Sequence, residues 1–306
     1  MPKIGLVGLG VIGRIYAANL IRRLGPIRVY DNVRENVTAV EKLGAVASDS
    51  AADLAAASEV VVLALPNPEA VRSVVDGVDG LLEGAKRGAV IVDLSTIDPK
   101  TAVDMYEKAK AVGVDYLDSP ISGGQPGGAG TDGAKAANVT FMVSGDKDAF
   151  EKARPVMECL GKRFFFLGAA GTGTKVKLLS NFVSGMVNLI SAEAFALGAA
   201  SGIGPGTLMD VFDETDANCF FVQHYVRPRM ERGDFEPGFS VDLQYKDLRL
   251  TSEWSREEGV PTPINDLGVQ LYQMARAAGL GHKDLVESVN FWARVSGVEL
   301  DAGKRE

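Results

Sequence analysis

The sequence predicts an α/β protein in which an N-terminal, doubly wound parallel sheet is followed by an all-α C-terminal domain. Short apolar runs alternate with helix-like segments through the first half of the chain, and a glycine-rich turn follows the first of these runs. After Gly173 the strand signals end and long helical stretches begin. We therefore predict two domains, residues 1–169 and 170–306, joined by a long helix.

The composition is that of a soluble globular protein. The 306 residues exceed the size at which one hydrophobic core usually stops growing, which favours two domains. The net charge of −8 disfavours a nucleic-acid or anionic-membrane partner, since both need a basic surface, although a local basic pocket stays possible. No apolar run approaches the roughly 18 residues needed to cross a bilayer, so we expect no membrane partner.

The cysteine content and the N-terminal residues indicate the cellular compartment. Cys159 and Cys219 supply neither a metal-ligand cluster nor a disulfide framework, so no metal is expected and a reducing environment is favoured. The first eight residues lack the basic start, apolar segment and cleavage site of a signal peptide. We therefore expect a cytoplasmic protein.

Continuous apolar runs predict the strands, because strands of a parallel sheet are buried on both faces. The predicted strands are residues 4–7, 27–30, 59–65, 89–92, 114–117, 139–143 and 163–167. Residues 51–57 and 69–75 are helix-like segments between them. We expect one sheet that ends with residues 163–167, and a glycine-rich loop over residues 123–133.

The turn after the first strand has the sequence Gly8-Leu-Gly10-Val-Ile-Gly13. Its glycines provide a tight turn, close approach of the backbone to a pyrophosphate, and tight packing of helix on strand, as in a Rossmann domain. Asp31 ends the second strand about 20 residues further on, where an acid binds ribose hydroxyls. A dinucleotide is therefore predicted. Asp31 would repel a 2′-phosphate, which favours NAD over NADP, although Arg34 nearby could weaken this preference. The alternative is that Asp31 is an ordinary turn former at the end of the strand.

A lysine and an amide stand four residues apart near the start of the predicted long helix. Lys177 and Asn181 lie on one helical face and can converge on one small target. Lys175 lies about 200° around the helix from Lys177 and cannot share that target. Only one of the two lysines can be catalytic. The alternative for Lys177 is a solvated surface side chain, and for Asn181 a polar residue on the helix surface.

Several motifs together resemble one enzyme family, the beta-hydroxyacid dehydrogenase family, over nearly the whole chain. In chain order these are the opening glycines, Asp93-Leu-Ser-Thr96-Ile-Asp-Pro99, Asp118-Ser-Pro-Ile-Ser122-Gly-Gly124, the segment from Gly171 to Asn181, and Phe239-Ser-Val-Asp-Leu-Gln-Tyr-Lys246-Asp247-Leu248. The resemblance implies a Rossmann domain, an NAD cofactor and a small 3-hydroxy acid or semialdehyde substrate.

The resemblance also implies roles for individual residues. Lys177 matches the catalytic lysine of the Gly-x-Gly-x-x-x-Lys motif, and Asn181 would orient Lys177 or the substrate. The residues expected to bind substrate are Ser122, Gly123, Gly124, Thr96, Phe239 and Asp247. The residues expected to bind the cofactor are Gly8, Gly10, Val11, Ile12, Gly13, Asp31, Leu65, Pro66, Thr96 and Lys246. The motif with Phe239, Lys246 and Asp247 closes the cleft from the helical domain in relatives.

The activity implied is hydride transfer between the nicotinamide and the carbon that bears the hydroxyl or aldehyde, with Lys177 as general acid and base. Three alternatives stay open: an imine reductase-like enzyme, against which Lys177 argues; a 6-phosphogluconate dehydrogenase-like enzyme, which would need more basic residues; and an inactive NAD-binding protein. Relatives assemble as homodimers or homotetramers, and the apolar stretch over residues 183–200 suits a shared interface.

The chain departs from the family pattern at residues 125–132, an insertion beside the expected carboxylate-binding loop. Ala137 and Asn138 replace the usual Gly-Thr that follows. The insertion predicts a specialised substrate, and the alternative is a harmless lengthening of a surface loop. The particular acid, the physiological direction and the oligomer size stay open.

Overall fold

The computed structural model describes residues 2–123 and 130–300. The chain divides into two compact units, Met1–Lys177 and Leu178–Glu306. The division falls inside a long helix, whereas the boundary expected from the sequence, near residue 170, precedes that helix.

The first unit alternates strands and helices along most of its length. Its elements are β1 (Ile4–Val7), α1 (Val11–Leu24), β2 (Arg28–Tyr30), α2 (Arg34–Glu41), β3 (Val46–Ala47), α3 (Ala51–Ala56), β4 (Val60–Leu63), α4 (Pro68–Asp76), α5 (Leu81–Gly84), β5 (Val90–Asp93), α6 (Pro99–Ala111), β6 (Asp115–Asp118), β7 (Ile121–Ser122), α7 (Gly130–Lys135), β8 (Val139–Val143), α8 (Lys147–Met157), β9 (Gly161–Phe166) and the start of α9 (Thr172–Ala200).

The main sheet is parallel and has six strands in the order β3-β2-β1-β4-β5-β6. Successive side chains of a strand point to opposite faces. In β4, Val60 and Val62 accordingly enter one hydrophobic core, with α1 and α2, while Val61 and Leu63 enter the other, with α3, α4 and α6. The predicted doubly wound sheet is confirmed. The order reverses between β1 and β4, which is where such sheets bind ligands at the strands' carboxyl ends.

The prediction of a single sheet is wrong. The runs near residues 139–143 and 163–167 form a second, three-stranded sheet of order β7-β8-β9, with β7 antiparallel to β8. Ser119 and Pro120 alone separate β6 from β7. A parallel neighbour needs a crossover of a dozen or more residues, so β7 cannot follow β6 as a parallel strand of the main sheet. An isolated bridge between Asp118 and Ser144 links the two sheets.

The predicted glycine-rich loop is wrong over residues 130–133, which belong to α7. This helix packs on α1: the buried Asn19 side chain donates to the carbonyl oxygen of Ala134 at 2.8 Å. Ala134 joins the core formed around α1. The C-terminal part of the insertion is therefore a docked helix; residues 124–129 lie outside the described part of the chain.

The second unit is helical in its described residues, as expected. Its elements are the remainder of α9, α10 (Pro205–Asp213), a π-helical turn (Val222–Val226), α11 (Arg227–Arg232), α12 (Val241–Glu257), α13 (Pro263–Ala277) and α14 (Glu287–Val295). Its core contains Met186 and Leu189 of α9, Leu248 of α12 and Tyr272 of α13. The buried Asn188 donates to the Tyr272 hydroxyl at 3.2 Å and ties α9 to α13.

Helix α9 is long and apolar enough to cross a membrane by length and composition, with a mean hydropathy of 1.4 in its most apolar window. The expectation that no segment reaches this threshold is therefore wrong. Half of that window is buried inside the protein.

Candidate active site

The glycine motif occupies the point where the strand order reverses. Gly8 has φ +88°, and a Cβ there would lie 2.4 Å from the Ala64 carbonyl oxygen, so only glycine fits the turn. A Cβ on Gly13 would lie 1.9 Å from the Gly8 carbonyl oxygen, so Gly13 allows α1 to pack on the turn. A Cβ on Gly10 would meet nothing within 4 Å. Gly10 is exposed at the first turn of α1, where backbone N–H groups attract a phosphate.

The Asp31 carboxylate is fixed beside this turn by three donors. Leu9 N donates to Oδ2 at 2.6 Å, while Val33 N at 2.8 Å and Asn36 Nδ2 at 3.4 Å donate to Oδ1. Asp31 thus belongs to the same small assembly as the glycines. A rigid carboxylate at the end of β2 suits the diol of an adenine ribose, which donates two hydrogen bonds.

A buried network holds the loops that follow β4 and β5. Asp93 accepts from Ser95 N at 2.9 Å and from the Tyr116 hydroxyl at 2.6 Å, and Ser95 Oγ in turn accepts from Leu65 N at 2.9 Å. Burial raises the pKa of the Asp93 carboxyl to about 6, although both hydrogen-bond partners favour its charged form. The network fixes the backbone of Leu65 and of the loop that leads to Thr96.

The first turn of α9 is docked on the ends of β6 and β8. Gly171 N and Thr174 N donate to Asp118 at 2.8 and 3.0 Å, and Gly173 N donates to Ser144 Oγ at 2.9 Å. Lys177 follows in the next turn and has only 8% of its surface exposed. The alternative of a solvated surface lysine is therefore wrong.

The expected carboxylate-binding loop begins on β7. Ser122 pairs with Thr140 of β8, and Ser122 and Gly123 are half-buried. Gly124 lies outside the described residues. The antiparallel pairing fixes the backbone of Ser122 up to the start of the loop.

A polar cluster of the second unit surrounds the amide of Asn181, one helical turn after Lys177. Asn181 Nδ2 donates to Asp247 Oδ2 at 2.5 Å, and Lys246 Nζ lies 2.9 Å from Asp247 Oδ1. Because Asp247 accepts one N–H of the amide, this contact identifies the side-chain nitrogen of Asn181, and its oxygen Oδ1 is a hydrogen-bond acceptor. Gln244 Nε2 also donates to the Asn181 backbone carbonyl at 3.0 Å. Asp247, 1% exposed, therefore orients Asn181; its expected contact with substrate stays a prediction.

The backbone of Phe239 is held by a buried carboxylate of the second unit. Asp284 Oδ2 accepts from Gly238 N at 2.9 Å, Phe239 N at 3.1 Å and the Tyr225 hydroxyl at 2.8 Å, and Arg229 lies 3.4 Å away as its ion-pair partner. Asp284 is fully buried. The position of Phe239 is therefore fixed although it lies in a connection between α11 and α12.

The structure groups many of the predicted residues within their own units. The glycine turn and Asp31 form one assembly, and Asn181, Lys246 and Asp247 form another. The remaining predicted residues of the first unit are arranged along strand ends: Leu65 and Pro66 follow β4, Thr96 follows β5, and Val11 and Ile12 begin α1.

Sequence reasoning missed the residues that hold these parts in place. Asp93 and Asp118 stand in the quoted motifs without an assigned role, and Ser144 and Asp284 stand in none. An acid at the end of a buried strand was the available signal for Asp93 and Asp118. Across residues 2–123 and 130–300, no group of three or more His, Cys, Asp or Glu side chains could hold a metal ion.

A six-stranded parallel sheet with a glycine turn and a fixed acid at its reversal point defines a dinucleotide-binding enzyme of the doubly wound class. A family model described as the NAD binding domain of 6-phosphogluconate dehydrogenase matches residues 3–168. A second, described as NAD-binding of NADP-dependent 3-hydroxyisobutyrate dehydrogenase, matches residues 171–292.

Individual proteins resemble the chain over almost its full length. The 2-(hydroxymethyl)glutarate dehydrogenase of Eubacterium barkeri is 35% identical over 99% of this chain and 98% of its own. The NAD-dependent L-serine dehydrogenase of Pseudomonas aeruginosa is 32% identical over 93% of this chain and 95% of its own. The solved structure of Mycobacterium tuberculosis 3-hydroxyisobutyrate dehydrogenase with L-serine has a TM-score of 0.85 at 30% identity, covering 95% and 99% of the two chains.

The chain therefore belongs to the beta-hydroxyacid dehydrogenase family. The predicted family, fold class and NAD-type cofactor are confirmed, and the protein is an NAD(P)-dependent oxidoreductase that acts on CH–OH groups.

Two alanine substitutions in the glycine turn should have different effects. Gly13→Ala forces a contact with the Gly8 carbonyl and should lower stability by about 1–3 kcal/mol. Gly10→Ala meets open space and should leave the melting temperature of the ligand-free protein unchanged, while its methyl group weakens NAD binding by keeping the pyrophosphate from the backbone. Thermal denaturation and calorimetric NAD titration measure the two effects. Equal melting temperatures for both variants, or full NAD affinity in Gly10→Ala, would contradict these roles.

Proposed function

We propose that this protein is an NAD-dependent dehydrogenase that interconverts a small 3-hydroxy acid and its semialdehyde, with Lys177 as general acid and base. The observation that carries the proposal is the buried Lys177, placed one turn after a docked helix start and one turn before an amide that Asp247 orients. A buried amine with an acceptor one helical turn away suits proton transfer in a small site.

Each side chain has a definite task in the oxidation direction. The Ser122 hydroxyl and the backbone N–H groups of the loop that follows bind the substrate carboxylate. Lys177, as the neutral amine, takes the hydroxyl proton, and Asn181 Oδ1 accepts a hydrogen bond at the same site. Bound NAD supplies the hydride acceptor, held by the glycine turn and Asp31. In reduction, Lys177 returns the proton to the forming alcohol.

The relatives suggest the substrate class. Their names refer to 2-(hydroxymethyl)glutarate, L-serine and 3-hydroxyisobutyrate, which share a primary alcohol two carbons from a carboxylate and differ in the group at carbon 2. We infer a 2-substituted 3-hydroxypropanoate for this chain. The insertion that ends in α7 follows the carboxylate-binding loop directly and is proposed to select the substituent.

The substrate class and cofactor choice can be tested together with a panel of 3-hydroxy acids assayed with NAD and with NADP. At least one 2-substituted 3-hydroxypropanoate should be oxidised, and kcat/KM should be higher with NAD because the Asp31 carboxylate repels a 2′-phosphate. 2-Hydroxy acids serve as controls and should not react. A clear preference for NADP would contradict the role of Asp31. NAD binding without turnover of any panel member would favour an inactive protein.

Lys177→Ala should lower kcat by about 10²- to 10⁴-fold, because the hydroxyl proton loses its acceptor. The affinity for NAD, measured by fluorescence titration, should be largely retained. Lys175→Ala is the matched control and should keep kcat, since Lys175 lies on another face of α9. Near-normal turnover by Lys177→Ala would disprove the assignment.

We also propose a cytoplasmic homodimer or homotetramer that assembles through α9. Leu179, Val183, Ile190 and Leu197 follow one another by four, seven and seven residues on one helical face, and each has between 47% and 72% of its surface exposed. Such a continuous apolar stripe is typical of a protein interface.

Sedimentation velocity should give a mass that is a multiple of the single-chain mass. Ile190→Glu should reduce it, because a charge would be buried at the interface. Val260→Glu, at a similarly exposed apolar residue that lies outside α9, is the control and should not change the mass. A monomeric wild-type protein would contradict this proposal.

A further inference from the structure

The carboxylate of Asp118 is a buried hydrogen-bond acceptor at the end of β6. It is 1% exposed and accepts from Gly171 N at 2.8 Å, Thr174 N at 3.0 Å and Ser144 Oγ at 2.6 Å. Two of these donors are backbone N–H groups at the start of α9, which have no acceptor within the helix. A carboxylate also interacts favourably with the positive end of a helix dipole. Asp118 therefore caps α9 from a different element of the fold.

Ser144 completes this cap. Its hydroxyl donates to Asp118 and accepts from Gly173 N at 2.9 Å, and its own backbone N donates to the Asp118 carbonyl oxygen at 2.9 Å. Asp118 and Ser144 together accept hydrogen bonds from three backbone N–H groups, those of Gly171, Gly173 and Thr174. The start of α9 is thus fixed to both sheets of the first unit.

Two glycines make this docking possible. Gly171 has φ +85°, a conformation that other residues rarely adopt. A Cβ on Gly173 would lie 2.2 Å from the Met142 carbonyl oxygen. The two glycines that precede Lys177 in the motif therefore allow the start of α9 to contact the strand ends. This contact brings Asp118 and Ser144 within hydrogen-bond distance of the helix start.

Lys177 lies three residues after Thr174 in the same continuous helix. Because a hydrogen-bonded helical turn is rigid, a shift or rotation of the first turn is passed to the Cα of Lys177. Asp118 is also followed, after Ser119 and Pro120, by β7 and the expected carboxylate-binding residue Ser122. One buried carboxylate thus sits at the junction of the lysine's helix and the segment that leads to the substrate loop.

We propose that Asp118, with Ser144, is a positioning residue that sets the location of Lys177 relative to Ser122. This inference rests on the proposed role of Lys177. Asp118 does not touch the reacting atoms in this proposal; it acts through the first turn of α9. Displacement of a catalytic group by about 1 Å can reduce the rate about 10²-fold.

The test substitutes Asp118→Asn, which keeps the size of the side chain but turns one acceptor oxygen into an N–H donor facing backbone N–H groups. We expect kcat to fall about 10²-fold while NAD affinity is kept. Amide hydrogen exchange in the peptide that spans residues 170–181 should become faster. Asp115→Asn, the same change at the opposite end of β6, is the matched control and should alter neither. Ser144→Ala is a smaller change and should lower kcat and speed amide exchange to a lesser extent. It replaces Asp118→Asn as the test if that variant does not fold.

A double variant separates positioning from general stabilisation. If Asp118 acts through Lys177, adding Asp118→Asn to Lys177→Ala should slow the enzyme no further. A multiplicative loss in the double variant, or unchanged kcat in both Asp118→Asn and Ser144→Ala, would overturn the inference. If Lys177→Ala alone keeps its kcat, the proposed function fails. Amide hydrogen exchange then still tests whether Asp118 caps α9. Unchanged exchange in Asp118→Asn would show that it does not.

Discussion

The hydrogen bond from a backbone N–H group to a carboxylate at the end of a parallel strand is the interaction on which the rest of the first unit depends. β2 is followed by Asp31, and β5 and β6 end with Asp93 and Asp118; each of these acids accepts from backbone N–H groups of a neighbouring turn or helix start. Loops and helix starts crowd the carboxyl edge of a parallel sheet with donors that need acceptors. An acid provides two oxygens and can serve several donors at once.

Burial of Asp93 has an electrostatic cost. Burial raises the pKa of Asp93 to about 6, and the nearby charge of Asp118 pushes it in the same direction. Two carboxylates close together under the sheet edge are tolerated because each has several donors. These hydrogen bonds order the loops after β4 and β5 and the start of α9. The proposed function, which aligns a cofactor, a substrate carboxylate and Lys177, needs such order.

The sequence predicts what depends on local pattern. The strands of the main sheet follow from continuous apolar runs, the cofactor turn follows from Gly8, Gly10 and Gly13, and the pair Lys177 and Asn181 follows from helical spacing. The pattern does not say which neighbour a strand takes, so β8 and β9 were assigned to the wrong sheet: residues such as Phe141 are equally apolar in either sheet. Asp118 and Asp284 were missed for the same reason, since their partners lie 53 and 45 residues away, at Gly171 and Phe239.

The hydrogen bonds that hold these elements bear on which part of the chain selects the substrate in the proposed function. The cofactor turn, the start of α9 and the cluster at Asn181 are each held by hydrogen bonds within their own unit. The insertion after Gly124 ends in α7, where the carbonyl oxygen of Ala134 accepts a hydrogen bond from Asn19 of α1. In the proposed function the insertion follows the carboxylate-binding loop, and its C-terminal end belongs to α7, which is held on α1. We therefore propose that substrate choice diverges here while the hydrogen bonds that hold the start of α9, and with it Lys177, are kept.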